Sequence, residues 1–362
     1  MSKKILITGG AGFIGSNFTH FILKKYPDYR VTVLDKLTYA GSLENLKDAI
    51  SNPNFDFVRG DIVDKDFLDN LFKEKESFDF VVHFAAESHV DRSIANPEIF
   101  VQTNILGTHN LLHVAKKYGV EKYHQVSTDE VYGDLGEGST NFFTESTPIN
   151  PGCPYANTKA AADLLVQSYF RTYKFPAVIT RCTNNYGPYQ FPEKAIPLFM
   201  FAAISGRPIT LHGKGSHIRD WLYVEDHCEA IDLVLHNAEI GEIYNIGGHN
   251  EISTKDLAFM ILNFFGKDPE KSIVYIPDRA ANDMRYAMDP TKITGLGWTP
   301  KHTFNHGLKD MIKWYFDHQD WLFKIYNREK GEIKKTKTEV ENLFSIADWK
   351  DKLNFGADNL NS

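Results

Sequence analysis

Two carboxylic acids stand side by side in Val126-Ser127-Thr128-Asp129-Glu130-Val131-Tyr132-Gly133, and a tyrosine and a lysine, Tyr155 and Lys159, are spaced four apart in the run YANTK. On a helix that spacing puts Tyr155 and Lys159 on one face, where an ammonium favours phenolate and lowers a phenol pKa that starts near ~10. Such a couple suits a redox step in which a hydroxyl gives up its proton. Two carboxyls in one site tend to separate in pKa, so that one is protonated while the other is ionised. Elimination needs that division: a base for a carbon acid and an acid for a departing hydroxyl. A plain dehydrogenase needs only the tyrosine and lysine, so the added pair implies removal of water from the same bound substrate. Elsewhere Asp129-Glu130 would read as a solvated acidic loop or a helix N-cap. Here it falls just past a predicted strand, Lys122–Ser127, at the carboxyl edge of a sheet and beside Tyr155.

A dinucleotide site precedes this constellation. Gly9, Gly12 and Gly15 in TGGAGFIG follow a predicted strand, Lys4–Thr8, and open a predicted helix, Phe13–Tyr26. The first glycine allows the tight turn, the second admits a pyrophosphate to the backbone, and the third lets the helix pack closely, with phosphates at the positive helix N-terminus. Asp35 ends the second strand, where a carboxylate binds both ribose hydroxyls and repels a 2′-phosphate, so NAD is expected rather than NADP. Lys36 beside it weakens that preference. Asp61 reaches the adenine or caps a helix, and both readings stand. Phe13, Ile14, Lys36, Thr38, Ile62, Phe84, Ala85, Ala86 and Thr103 complete the candidate cofactor-binding set, to which Tyr155 and Lys159 also belong.

The elements that must position these groups alternate. Lys4–Thr8, Arg30–Leu34, Asp56–Arg59, Phe78–Phe84, Lys122–Ser127 and Ala177–Arg181 read as strands, and Phe13–Tyr26, Asp64–Lys75, Ile94–Tyr118 and Tyr155–Tyr173 as helices. Near-continuous apolar strands separated by helices predict an α/β fold, a doubly wound parallel sheet of Rossmann type. From about Asn184 the texture changes to loops rich in proline, glycine and aromatics. The expected organisation is an NAD-binding domain over 1–183 with returning segments at about 222–246, a smaller substrate domain over 184–221 and 247–327, and a polar extension over 328–362.

The whole chain sets limits on partners. Its 362 residues are 42% hydrophobic and 24% charged, with a formal net charge of −7, which argues against a nucleic acid or an anionic membrane bound by bulk charge. Three cysteines, Cys153, Cys182 and Cys228, with no CxxC pair make neither a disulfide framework nor a zinc site. The longest apolar run, Ile196 to Ile204, contains Pro197 and is too short to span a bilayer. A soluble, cytoplasmic protein without a metal is expected.

Taken together, these motifs resemble the extended short-chain dehydrogenase/reductase superfamily and, within it, the nucleotide-sugar 4,6-dehydratases of the dTDP-glucose type. The resemblance runs from about residue 3 to 320. TGGAGFIG and YxxxK place the superfamily; STDEVYG, TRCTNNYGPYQFPEK and RDWLYVEDH are far more specific. It implies that Tyr155 takes the proton of the sugar 4-hydroxyl while hydride passes to NAD, with Thr128 bonded to the same oxygen. Glu130 then removes the carbon 5 proton, Asp129 protonates the departing 6-hydroxyl, and hydride returns to carbon 6. It also implies substrate contacts at Ser88, Thr128, Asn184, Glu193, Lys194, Thr210, His212, Arg219, Arg279 and Asn282, and a homodimer. Arg219 and Arg279 suit a diphosphate, since guanidinium groups present planar donor forks. Departures gather at the nucleotide pocket: His212 replaces a usual tyrosine, Thr254 a usual asparagine, and Ala281-Asn282 a usual Gly-His. A UDP-sugar is therefore an alternative substrate. A nucleotide-sugar 4-epimerase would use Tyr155 and Lys159 without elimination, and an NAD-sensing regulator would need neither couple.

Overall fold

The computed structural model describes residues 2–278 and 283–328. Arg279, Asn282 and all but the first residue of the polar extension 328–362 lie outside the described residues. Strand and helix alternate through the first half: β1 (Lys4–Thr8), α1 (Phe13–Lys25), β2 (Arg30–Asp35), β3 (Phe55–Arg59), α2 (Lys65–Glu74), β4 (Phe80–His83), α3 (Val90–Ala95), α4 (Pro97–Phe100), α5 (Thr108–Lys117), β5 (Lys122–Thr128), α6 (Pro154–Tyr173) and β6 (Ala177–Cys182). There follow β7 (Asn184–Tyr186), α7 (Ala195–Ile204), β8 (Ile209–His212), β9 (Ile218–Tyr223), α8 (Val224–Asn237), β10 (Ile243–Ile246), β11 (Glu251–Ser253), α9 (Thr254–Phe264), β12 (Ile273–Ile276), α10 (Thr291–Thr294), α11 (Phe304–Asp317) and α12 (Gln319–Arg328).

A seven-stranded sheet runs β10-β6-β5-β4-β1-β2-β3 with every pairing parallel, a Rossmann-type arrangement. The run KILIT shows why. Leu6 packs on one face with Leu68, Phe72, Leu111 and Val166 from α2, α5 and α6. Ile5 and Ile7 point the other way, to Phe18, Ile22, Ile231 and Leu235 of α1 and α8. A strand buried on both sides has no polar face to show, hence its continuous hydrophobicity. Strand order reverses between β1 and β4, so the carboxyl ends of the strands open a crevice there.

The second lobe holds a sheet β11-β9-β7 and a pair β12-β8. Its core gathers Met200, Phe201, Leu211, Trp221, Leu262, Met311 and Tyr315. The apolar run around Pro197 is α7; the proline sits in the first turn, where a missing N–H breaks no helical bond.

One predicted helix is not continuous. Ile94–Tyr118 is broken because Asn96, held out of helical geometry before Pro97, ends α3, and after α4 the chain makes a π-helical stretch over Val101–Gly107 before α5. The reading of Asp61 as a helix cap also fails. Asp64 caps α2, its carboxylate accepting from Phe67 N–H at 2.9 Å.

Candidate active site

One cavity of about 650 Å³ lies over the carboxyl ends of the sheet strands. Every described residue predicted for the site lines it: the glycine loop, Asp35, Lys36, Thr38, Asp61, Ile62, Phe84–Ala86, Ser88, Thr103, Thr128–Glu130, Tyr155, Lys159, Asn184, Glu193, Lys194, Thr210, His212 and Arg219.

At the cofactor end the backbone makes a cradle that side chains would fill. Gly9 has φ +71°, and a Cβ there would meet Ala85 N at 2.5 Å; one on Gly15 would meet Gly9 O at 2.3 Å. No side chain caps the N-terminus of α1 at Gly12, which leaves that end to an anion. Asp35 is buried and oriented by two N–H donors, Ala11 at 3.0 Å and Leu37 at 2.7 Å. Lys36 is drawn off to Asp61 at 2.6 Å, so its charge is partnered beside the ribose site. These groups fit a dinucleotide with an unphosphorylated ribose.

At the reaction end β5 delivers Thr128, Asp129 and Glu130 into a short 3₁₀ turn, Asp129–Tyr132. Thr128 is the hinge of that turn: its hydroxyl donates to Asp129 Oδ1 at 3.1 Å and accepts from Glu130 N–H at 3.3 Å. Asp129 is buried, with Oδ2 lacking any hydrogen-bond partner. Burial first, and then the charge of Glu130, hold its carboxyl well above the usual range. Glu130 is pushed up to about 7 by burial, against the pull of Arg219 and Lys194. The two carboxyls therefore divide as an acid and a base near neutral pH.

Tyr155 and Lys159 share the buried face of α6, which starts from Cys153 with Pro154 in its first turn. The expected lowering of the Tyr155 phenol by Lys159 is not what its surroundings produce. Burial, followed by Glu130, Cys182 and Asp129, pushes the phenol well up. Burial likewise lowers Lys159, whose Nζ donates to Val126 O at 2.7 Å. Desolvation outweighs the attraction that a helix-surface argument counts.

The sugar side combines both lobes. Asn184 Oδ1 and Glu193 Oε1 are buried without hydrogen-bond partners, like Asp129 Oδ2, and all three residues line the cavity, where a ligand can satisfy them. Glu193 is approached by Arg92 at 3.4 Å and His89 at 3.8 Å. Arg219 lies 4.5 Å over the Tyr286 ring, near Glu130. Asp134 fixes this wall by accepting from Met284 and Arg285 N–H at 3.0 Å each. Sequence reasoning missed Tyr39, Glu87, His89, Phe191, Asp283 and Tyr286, all lining the cavity. The triplet Glu87-Ser88-His89 just beyond β4 was the available signal for two of them. Among the described residues no cluster of three or more His, Cys, Asp or Glu is placed to hold a metal, and no helix is long and apolar enough to cross a membrane.

Comparison with known proteins agrees with this geometry. The family described as GDP-mannose 4,6 dehydratase matches residues 6–311. A dTDP-glucose 4,6-dehydratase of Neisseria meningitidis serogroup B is 45% identical over 345 residues, covering 90% of this chain and 96% of that protein. A trifunctional UDP-glucose 4,6-dehydratase/epimerase/reductase of Arabidopsis thaliana is 45% identical over 320 residues, 88% of this chain and 48% of that longer protein. The crystal structure of a dTDP-glucose 4,6-dehydratase from Bacillus anthracis in complex with NAD superposes with a TM-score of 0.82 at 45% identity, covering 90% of this chain and all of that one.

Proposed function

The chain belongs to the nucleotide-sugar 4,6-dehydratases of the extended short-chain dehydrogenase/reductase superfamily, and we propose that it converts dTDP-glucose to the 4-keto-6-deoxy sugar nucleotide. The observation that carries the reading is the unequal acidic pair, Asp129 raised well above the usual carboxylate range and Glu130 raised to about 7, in one cavity with Tyr155 and Lys159.

In this reading Tyr155, whose phenolate is favoured by Lys159 together with the cationic nicotinamide of bound NAD, accepts the proton of the sugar 4-hydroxyl, and Thr128 holds the same oxygen. Bound NAD supplies the hydride acceptor for carbon 4 and, once reduced, the donor for carbon 6. The ketone at carbon 4 acidifies the carbon 5 proton, which Glu130 removes. Asp129 gives its proton to the 6-hydroxyl, which leaves as water. Glu130 then returns a proton to carbon 5, and passing the proton held by Tyr155 to Asp129 restores the protein, so the sum is the loss of one water. Asn184, Glu193 and Ser88 hold the sugar, Lys194 and Arg219 the diphosphate, and Thr210 and His212 the nucleoside end.

UDP-glucose is the second reading. The Arabidopsis relative named for it is as similar as the dTDP-glucose relatives, and His212 and Thr254 depart from the family pattern where the base would lie. Incubation with each sugar nucleotide separately, followed by mass measurement, decides: the substrate loses one water, whereas epimerisation conserves mass. Deuterium on carbon 4 should reappear on carbon 6 of the same molecule. Label lost to solvent or returned to carbon 4 would favour an epimerase.

The proposal extends to organisation. The NAD-binding part comprises 1–183 with a return at about 222–246, and the substrate part 184–221 and 247–327. The protein works as a cytosolic homodimer with no nucleic-acid partner. Its three cysteines are buried free thiols, as expected of a reducing compartment.

A further inference from the structure

Asp163 and Arg181 make an ion pair at the heart of the sheet-helix interface, Arg181 Nε to Asp163 Oδ2 at 2.9 Å, with side chains 2% and 0% exposed for Arg181 and Asp163. Such a pair seldom repays its desolvation against a well-packed apolar pair, so its presence asks for another role. Its satisfaction is also incomplete, since Asp163 Oδ1 and Arg181 Nη2 have no hydrogen-bond partner.

Both ends of the pair meet catalytic segments. Asp163 follows Lys159 by four residues on α6, and the two side chains share its buried face. The Arg181 guanidinium lies 4.7 Å from the centre of the Tyr132 ring, and Tyr132 closes the turn that carries Asp129 and Glu130. Tyr132 is held in turn by a hydrogen bond from its hydroxyl to Asn245 Oδ1 at 2.7 Å.

We propose that Asp163 is a positioning residue of the oxidation step: its buried side chain, anchored by Arg181 one helical turn beyond Lys159, orients that lysine beside Tyr155. This rests on the reading of Tyr155 and Lys159 as the oxidation couple. The groups facing Lys159 are few. Tyr155 and Asp163 lie one turn before and after it on α6, and His83 from β4 and Cys182 from β6 feel its charge. His83 is pushed down to about 3 by burial and then by Lys159, so it stays neutral. Asp129 and Tyr155 are driven to their neutral forms. Burial pulls Lys159 down, and Asp163 heads the groups that oppose it, ahead of Cys182.

The test uses the NAD-loaded protein, and its titration arm needs no sugar. The ultraviolet difference between a protein and its Tyr155→Phe counterpart reads the Tyr155 phenolate alone, as a function of pH. In the Asp163→Asn background that phenolate should appear at higher pH than in wild type, and Asp163→Glu should restore it. Single-turnover NADH formation at neutral pH should fall about tenfold in Asp163→Asn. Because that variant leaves Arg181 buried without its partner, Asp163→Asn/Arg181→Met is the companion: folded by circular dichroism, it should keep the shifted titration. A wild-type titration in Asp163→Asn, or its recovery in the double variant, would overturn the proposal and leave the pair a packing element. Failure of wild type to reduce NAD with either sugar nucleotide would sink the functional reading, while the phenolate titration would still judge Asp163.

Discussion

At the scale of single residues, Asp129 and Glu130 are chain neighbours with unequal surroundings, and that inequality is measurable in stability as well as in turnover. Burial raises Glu130 to about 7 from an unfolded value near ~4.3. The fold thus favours the protonated form; the stabilisation is complete below about pH 4 and is lost as pH rises through about 7. Wild type at pH 8 carries a penalty on the order of 3–4 kcal/mol that a neutral glutamine does not. Glu130→Gln should therefore melt higher than wild type at pH 8 by circular dichroism, with the gap closing at pH 4. Stopped-flow absorbance should show the same variant oxidising substrate and accumulating NADH while releasing little deoxy product. In wild type the elimination rate should climb as pH rises through about 7, as the base ionises. Tyr155→Phe removes the phenolate oxygen that accepts the 4-hydroxyl proton and should cut NADH formation by at least about 100-fold. That Asp129, Glu130, Tyr155 and Lys159 share one cavity was legible in the sequence because each pair is local, one adjacent and one a helical turn apart. Tyr286, Phe191 and Tyr39 were not, because their place at the cavity depends on contacts between distant segments that no short spacing records.

At the scale of elements, the strands and α6 were legible from apolar continuity and helical spacing, whereas the helix read over Ile94–Tyr118 was not. Its periodicity is real, but Pro97 and the π-helical stretch redirect it. That stretch places Asn104 where a straight helix would not. Asn104 Oδ1 accepts from Glu87 N–H at 2.8 Å, and its Nδ2 donates to Glu87 O at 3.0 Å and to Thr158 Oγ1 at 2.9 Å. One side chain therefore ties the β4 loop, which lines both cofactor and sugar positions, to α6. Asn104→Ala strands a buried backbone N–H and C=O and should cost about 1–3 kcal/mol in denaturant unfolding. The loosened loop should also raise the KM for the sugar nucleotide more than it lowers kcat. Equal stability and unchanged KM would mean that solvent or a neighbour replaces the amide.

At the scale of the molecule, α3, α4, the π-helical stretch and α6 leave large apolar side chains exposed: Ile94, Ile99, Val101, Leu106 and Leu164. Light scattering at micromolar concentration should return the mass of two chains, and Leu164→Glu should return one; a monomeric wild type would contradict the dimer. The alternation of the chain was read in advance, but the interleaving of the lobes has a consequence for biosynthesis. The sheet is closed on one side by β10, which pairs with β6 and is made only after β7, β8 and β9 of the other lobe. A nascent chain that has emerged as far as residue 183 thus presents β6 as a bare edge, with Val178 and Cys182 not yet covered. On the ribosome the nucleotide-binding half must wait for some sixty further residues before its last strand arrives, a span in which an open parallel edge invites chaperone capture or mispairing.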